Sequence, residues 1–159
     1  VISKTPKKIL KKYSNNKKIK FFELIPHEKL IKEIFPSSDI MIYPGYSDTF
    51  GFTFTEAMSF GVPVVTIDGF ARKEIIENEK TGFVITRPKS FGIKDLVIKN
   101  EEIVNELVKT TSNLIENKKL LKKMSKNCIK EVRDGKFSLK ERNKKLRKIY
   151  EETFINQKN

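Results

Sequence analysis

The chain has 159 residues and a mass of 18.5 kDa, enough for one domain with a real core but short for a complete two-domain enzyme. A hydrophobic share of 38% beside a charged share of 33% describes a soluble globular chain and argues against disorder throughout, while +13 at pH 7 predicts attraction to phosphates, nucleic acid or anionic lipid without choosing among them. The lone Cys128 excludes an internal disulfide, no Cys/His cluster has metal-ligand spacing, and no apolar run approaches the roughly 20 residues needed to span a bilayer. With no signal-peptide core at the amino terminus, the expectation is a metal-free cytoplasmic protein.

Val1-Ile2-Ser3-Lys4 is a stub without an initiating Met, so the chain is expected to be cut from something longer; a basic helix is predicted from Pro6 to Tyr13. Eight lysines precede Phe21 with no acidic residue among them. They predict a positive patch facing an anionic membrane or the cleft of a missing domain, although a solvated helix face in a lysine-rich chain is the plainer reading. Ile19 to Leu24 reads as a short buried strand. Pro26-His27 then opens a helix with Leu30, Ile31, Ile34 and Phe35 on one stripe, stopped by Pro36.

Two continuous apolar runs, Ile40 to Tyr43 and Val62 to Ile67, suit strands buried on both faces. Phe52 to Phe60 between them is long enough for a short helix, and Gly82-Phe83-Val84-Ile85 supplies a further strand. This alternation is the pattern of a parallel α/β sheet sandwiched by helices. Thr86 to Asn100 reads as a long loop. From Asn100 onward the pattern is purely helical, with apolar stripes through Ile103, Val104, Leu107, Val108, Leu114 and Ile115 and through Leu120, Leu121, Met124, Cys128, Ile129 and Val132. Gly135 breaks it, and Ser138-Leu139-Lys140-Glu141 is a capping box opening a last helix that carries Leu146, Ile149, Tyr150 and Phe154. One domain is expected over residues 1–159.

The chemistry concentrates between Pro44 and Val65. A buried strand ends, a Gly-containing loop crosses its carboxyl edge, and a helix starts directly after, which is where open α/β sheets bind ligands. Free N–H groups at such a helix start stabilise an anion, and Gly51 lets the backbone approach it. Glu56, in the first turns of that helix, can accept hydrogen bonds from a vicinal diol a few ångströms beyond a phosphate. Each residue also has a plainer reading. Thr53-Phe54-Thr55-Glu56 fits a capping box, Asp48 could tie down its loop, Gly51 could be a turn glycine and Glu74 an exposed helix-start carboxylate. His27, the one histidine, reads as a cap or surface residue rather than a general base, and Cys128 reads as core.

The segment resembles the C-terminal nucleotide-binding domain of GT-B glycosyltransferases, in particular retaining family 4, with its Glu, seven residues, Glu hallmark, Phe-Gly inside it and Ala-Met after it. Here the pattern is Asp48, seven residues, Glu56, with Phe50-Gly51 inside and Ala57-Met58 following. Gly61-Val62-Pro63-Val64-Val65 is similar to the family's Gly-x-Pro-Val-Val, Glu74-Ile75-Ile76 to its Glu-Ile-Val turn, and Thr81-Gly82-Phe83-Val84 to its Thr-Gly-hydrophobic-Val strand. Phe22 to His27 resembles the loop that packs on the nucleotide base, which places Ile25 there, and Lys136 to Tyr150 resembles the closing helix. The chain departs from the family in having Asp48 for Glu, Glu23 for the Gly of the base loop, and Arg72-Lys73 where a small residue and Pro often stand.

The resemblance implies a Rossmann-like C-terminal half of a GT-B enzyme that transfers a hexose from a nucleoside diphosphate sugar with retention, usually without a bound metal or other cofactor. In that scheme Glu56 holds the ribose, Gly51, Phe52 and Thr53 present backbone donors to the diphosphate, Asp48 orients a sugar hydroxyl as the catalytic carboxylate, and Glu74 lies near the sugar. An Arg and a Lys clamping the diphosphate, and the acceptor-binding N-terminal domain, would precede Val1. Two other classes compete: a nucleotide-binding module that transfers nothing, and a basic nucleic-acid or membrane-surface protein. Lysines occur in nearly every segment and no aromatic interleaving marks a stacking platform, which speaks against nucleic acid.

Overall fold

The computed structural model describes residues 1–45, 50–88, 91 and 100–156. The chain divides into two compact units, Val1–Ser37 and Ser38–Asn159.

In the first unit Pro6 sets the start of helix α1 (Lys7–Tyr13), and Lys11 and Lys12 in its last turn complement the negative end of its dipole. The helix buries no residue. The strand expected over Ile19–Leu24 does not form. Phe22 makes one parallel bridge with Ile2, through Ser3 N–H to Phe22 O at 2.9 Å and Phe22 N–H to Val1 O at 2.8 Å, and Leu24 is 98% exposed. With this single bridge and no continuing ladder, the apolar run is irregular. Helix α2 (His27–Lys29) begins after Pro26 as expected, then widens into a π-helical stretch over Leu30–Ile34 and tightens into a 3-10 turn over Phe35–Ser37. Pro36 sits inside that last turn rather than stopping the helix before it. Lacking an N–H, it changes the hydrogen-bond spacing around it, and the Phe35 N–H reaches back to Leu30 O.

The second unit holds strands β1 (Met41–Tyr43), β2 (Val64–Ile67) and β3 (Gly82–Ile85), in the order β1-β2-β3 and all parallel. Helix α3 (Phe52–Ser59) connects β1 to β2, and the short α4 (Arg72–Ile75) lies between β2 and β3. Tyr43 aligns with Thr66 and Val84, so these side chains share one face; Ile42, Val65 and Phe83 share the other with Ile67 and Ile85. On that second face Val65, Ile67 and Ile85 pack with Ile103, Leu107 and Leu114 of α5 (Glu101–Glu116) and Met124 of α6 (Lys118–Arg133). The first face meets α3, where the Tyr43 and Phe54 rings stand edge to face with centroids 5.1 Å apart. The expected parallel α/β sheet sandwiched by helices is therefore observed.

Burial on both faces holds for β2, every residue of which is buried, but not for β1. At the end of the strand order, Ile42 is 50% exposed. Gly82 is required by the β2–β3 pair, because a Cβ there would stand 2.0 Å from Val64 O. Asn100 and Asn117 cap α5 and α6 by accepting the Ile103 and Leu120 N–H groups. The Ser138 hydroxyl likewise accepts the Glu141 N–H and opens α7 (Leu139–Asn156), as its capping box predicts. Leu146, Ile149, Tyr150 and Phe154 on α7 are exposed. The expected loop over Thr86–Asn100 falls largely outside the described residues.

Helix α6 crosses the amino edge of the sheet. Asn127 donates to Lys80 O at 3.0 Å, and the Cys128 thiol, fully buried as expected, donates to Thr81 O at 3.2 Å. Glu131 pairs with Lys80 at 2.9 Å, and Lys80 also reaches Glu77 at 2.6 Å. Held by Glu77 and then by Glu131, the Lys80 ammonium is pushed up to about 12, while the hydrogen bond from Lys80 holds the Glu131 carboxyl below its ordinary range. A depressed carboxyl pKa stabilises the fold above its unfolded value and ceases to as pH falls through the folded one. Glu131→Gln should therefore destabilise the domain by about 1 kcal/mol at neutral pH. The difference should vanish in acid, below the folded pKa of Glu131, in urea unfolding curves recorded across pH.

Candidate functional site at the carboxyl edge of the sheet

With α6 across the amino edge, the loops after β1 and β2 lie at the opposite, carboxyl edge. Gly51 precedes α3 in the left-handed region at φ +80°, and a Cβ there would stand 2.6 Å from the Phe54 ring. A glycine is thus demanded twice, by its backbone angle and by the close approach. The Phe54 N–H turns back to Gly51 O at 2.9 Å, and Gly51 brings no capping side chain. The helix supplies no i−4 acceptor for the N–H groups of Phe52 and Thr53, which point toward the edge with the positive end of the dipole. This excludes the capping-box reading of Thr53–Glu56. The helix starts one residue before Thr53, so Thr53 is not its cap, and the Thr55 hydroxyl bonds Phe52 O at 2.8 Å.

Glu56 therefore stands in the second turn of α3, half-buried. Glu74 is exposed on α4, and its carbonyl accepts a hydrogen bond from the Lys136 ammonium. Ile25 is half-buried in the amino-terminal unit, and His27 is an exposed residue in the first turn of α2, matching the surface reading. Asp48 lies outside the described residues. Among the described residues, no three His, Cys, Asp or Glu side chains converge in a way that could hold a metal ion. A groove of about 460 Å3 beside β3 and α5, lined by Asn78, Phe83, Pro88, Glu102 and Glu106, includes none of the site residues.

Two residues with no role assigned from sequence organise this edge. Arg72 is 1% exposed; its Nη1 donates to Ile67 O at 2.7 Å, and its guanidinium lies 5.3 Å from the Tyr43 ring centroid and 5.9 Å from that of Phe54. It ties the end of β1, the end of β2 and the first turn of α3 to one point. Asp68 is held from several sides: its N–H donates to Ile85 O at 2.7 Å, its carbonyl accepts from Arg87 Nε at 2.5 Å, and its carboxylate pairs with Lys73 at 2.5 Å. No sequence signal marks Arg72 as interior, since an arginine between Ala71 and Lys73 reads as solvated surface.

A lysine is not equivalent to Arg72, because stacking on two rings uses the planar guanidinium. Arg72→Lys should cost about 2 to 3 kcal/mol of stability, combining a charged hydrogen bond with buried cation–π contacts. Chemical denaturation of the variant beside Arg72→Met checks this: the lysine should destabilise at least as much as the uncharged methionine.

The arrangement of strands and helices is that of a Rossmann-like GT-B domain. It superposes on sucrose-phosphate synthase from Thermosynechococcus elongatus with a TM-score of 0.67 at 19% identity, over 94% of this chain and 33% of that one. In sequence the chain is 26% identical over 126 residues to UDP-Gal:alpha-D-GlcNAc-diphosphoundecaprenol alpha-1,3-galactosyltransferase of Escherichia coli. That alignment takes in 79% of this chain and 28% of the enzyme, so the chain spans about a quarter to a third of the length of such relatives. Residues 3–131 match the family described as Glycosyl transferases group 1, and the chain belongs to that family.

Proposed function

We infer that this chain is the donor-binding half of a retaining family 4 glycosyltransferase, which transfers a hexose from a nucleoside diphosphate sugar to an acceptor held by an N-terminal domain. The observation that carries the reading is the start of α3: a left-handed Gly51 without a capping side chain, directed N–H groups at Phe52 and Thr53, and Glu56 one turn further along. The diphosphate sits on those N–H groups, and Glu56 accepts two hydrogen bonds from the ribose diol. As the bond from the anomeric carbon to the phosphate oxygen breaks, its electron pair goes to the diphosphate, where the helix start stabilises the charge. The acceptor oxygen bonds the same carbon and its proton passes to the departing diphosphate. Asp48 orients a sugar hydroxyl, and Glu74 lies near the sugar. The name of the Escherichia coli relative specifies UDP-Gal, which favours a uridine diphosphate hexose as donor here.

Charge-assisted hydrogen bonds contribute about 1.5 to 3 kcal/mol each, so Glu56→Gln should weaken nucleoside diphosphate binding roughly tenfold. Calorimetric titration with uridine, guanosine and adenosine diphosphates measures this, and equal binding by wild type and variant would discard the ribose assignment. The chain by itself should bind weakly and transfer no sugar; transfer would show that the catalytic groups lie elsewhere than inferred.

For the amino-terminal unit the partner we infer is an anionic membrane surface. Helix α1 buries no residue and carries Lys7, Lys8, Lys11 and Lys12 with Ile9 and Tyr13 exposed among them. No helix among the described residues is long and apolar enough to cross a membrane. Co-sedimentation should be greater with anionic than with neutral liposomes and should fall with salt; equal recovery removes this reading.

A further inference from the structure

The loop leaving β2 contains a residue that neither the core nor the diphosphate site uses. Phe70 has φ +50° and is 65% exposed. The left-handed region is unfavourable for a bulky side chain, and an exposed ring gains no burial in return. Glu79, the other non-glycine with positive φ among the described residues, has an ordinary explanation: it is a polar turn residue whose N–H donates to Gly82 O at 3.1 Å. Phe70 also lies in a hydrogen-bonded turn, spanned by the Arg72 N–H to Gly69 O bond, but it is bulky and apolar, and strain persists where the surroundings impose it.

Here the surroundings do impose it. Asp68 before Phe70 is fixed by Ile85, Arg87 and Lys73, and the Arg72 N–H after it returns to Gly69 O at 3.2 Å. Arg72 in turn is clamped against Tyr43 and Phe54, so the base of the Phe70 loop is fixed to the first turn of α3. Two other exposed rings at this edge, Phe50 and Phe52, lie against each other with centroids 5.0 Å apart. Phe70 stands on a different loop, the one that leaves β2 and leads into α4 with Glu74.

We propose that the exposed Phe70 ring, held outward by its left-handed backbone at the carboxyl edge of β2, is the platform on which the apolar face of the donor hexose packs. The inference rests on the donor-binding reading above and extends it to the sugar. A pyranose carries its hydroxyls around a ring whose faces expose C–H groups, and these slightly positive hydrogens suit the negative face of an aromatic ring. An axial hydroxyl at C4 collects the hydrogens of C3, C4 and C5 on one face, so Phe70 favours a galacto over a gluco configuration.

The test uses this chain with uridine diphosphate, uridine diphosphate galactose and uridine diphosphate glucose as probes, comparing wild type with Phe70→Gly, Phe70→Ala and Phe70→Tyr. Affinities are measured by titration, and sugar contacts by saturation transfer from the aromatic protons. Glycine accepts positive φ, so Phe70→Gly keeps the loop and separates loss of the ring from loss of the fold. Uridine diphosphate should bind all four proteins equally. The galactose nucleotide should bind Phe70→Gly and Phe70→Ala about tenfold more weakly than wild type, with Phe70→Tyr retaining its affinity. Saturation should reach the hydrogens at C3, C4 and C5. Unchanged binding of the sugar nucleotide by Phe70→Gly overturns the proposal, and a parallel fall in uridine diphosphate binding overturns it by placing the ring on the nucleotide. Failure of wild type to bind uridine diphosphate overturns the donor-binding reading and this inference together.

Discussion

Parallel strands cannot be joined by a tight turn, and that constraint governs this domain. After each of β1 and β2 the chain must return to the amino edge before pairing again, so the segments leaving both strands begin at one edge and the segments arriving gather at the other. Helix α6 uses the arriving side, fastening to Lys80 and Thr81 just before β3 through Asn127, Cys128 and Glu131. The departing side is left for chemistry. Division of labour between the two edges thus follows from strand direction, before any particular side chain is considered.

A departing edge becomes a site only if its loops hold their positions relative to one another. Strands lie about 4.8 Å apart, but a loop even a few residues long could wander by more than that. Arg72 supplies the restraint. A guanidinium buried beside two aromatic rings and bonded to a backbone carbonyl is expensive to rearrange, because moving it exposes the rings or leaves the charge in apolar surroundings. It therefore holds the start of α3 and the segment leaving β2 together.

Much of this was readable from the chain. Val64–Ile67 and Gly82–Ile85 are apolar runs bounded by Pro63, Gly69 and Gly82, and local pattern suffices for strands that are covered on their faces. Ile19–Leu24 shows where local pattern fails: a strand also needs a partner of adequate length, and pairing is a property of distant residues that periodicity does not encode. The helix itself was legible but not the register of its start, since Thr53 offers a cap that Gly51 makes unnecessary. At residues 70 and 72 the usual correlation inverts. A phenylalanine faces water and an arginine is interior, and a hydropathy reading assigns each to the wrong side. Both departures lie in the segment that leaves β2 and enters α4, in keeping with the tendency of functional positions to violate local rules.

The charge of +13 contributes less to phosphate binding than its size implies. Among the described residues, Lys73 is paired with Asp68, Arg87 donates to Asp68 O, Lys136 donates to Glu74 O, and Arg72 is interior, so these four cations are already engaged in holding the protein together. Lysines elsewhere act across distances at which salt screens them, with a Debye length of about 8 Å at physiological ionic strength. An exposed helix start adds about 0.3 to 1 kcal/mol for a nearby anion, less than one charge-assisted hydrogen bond. On the donor-binding reading proposed above, recognition by these residues rests on groups that read something other than charge: Glu56 for a diol, and Phe70 for the face of a sugar. On that reading the site discriminates by the shape and hydroxyl pattern of its ligand, and free phosphate, which offers neither, should compete poorly for it.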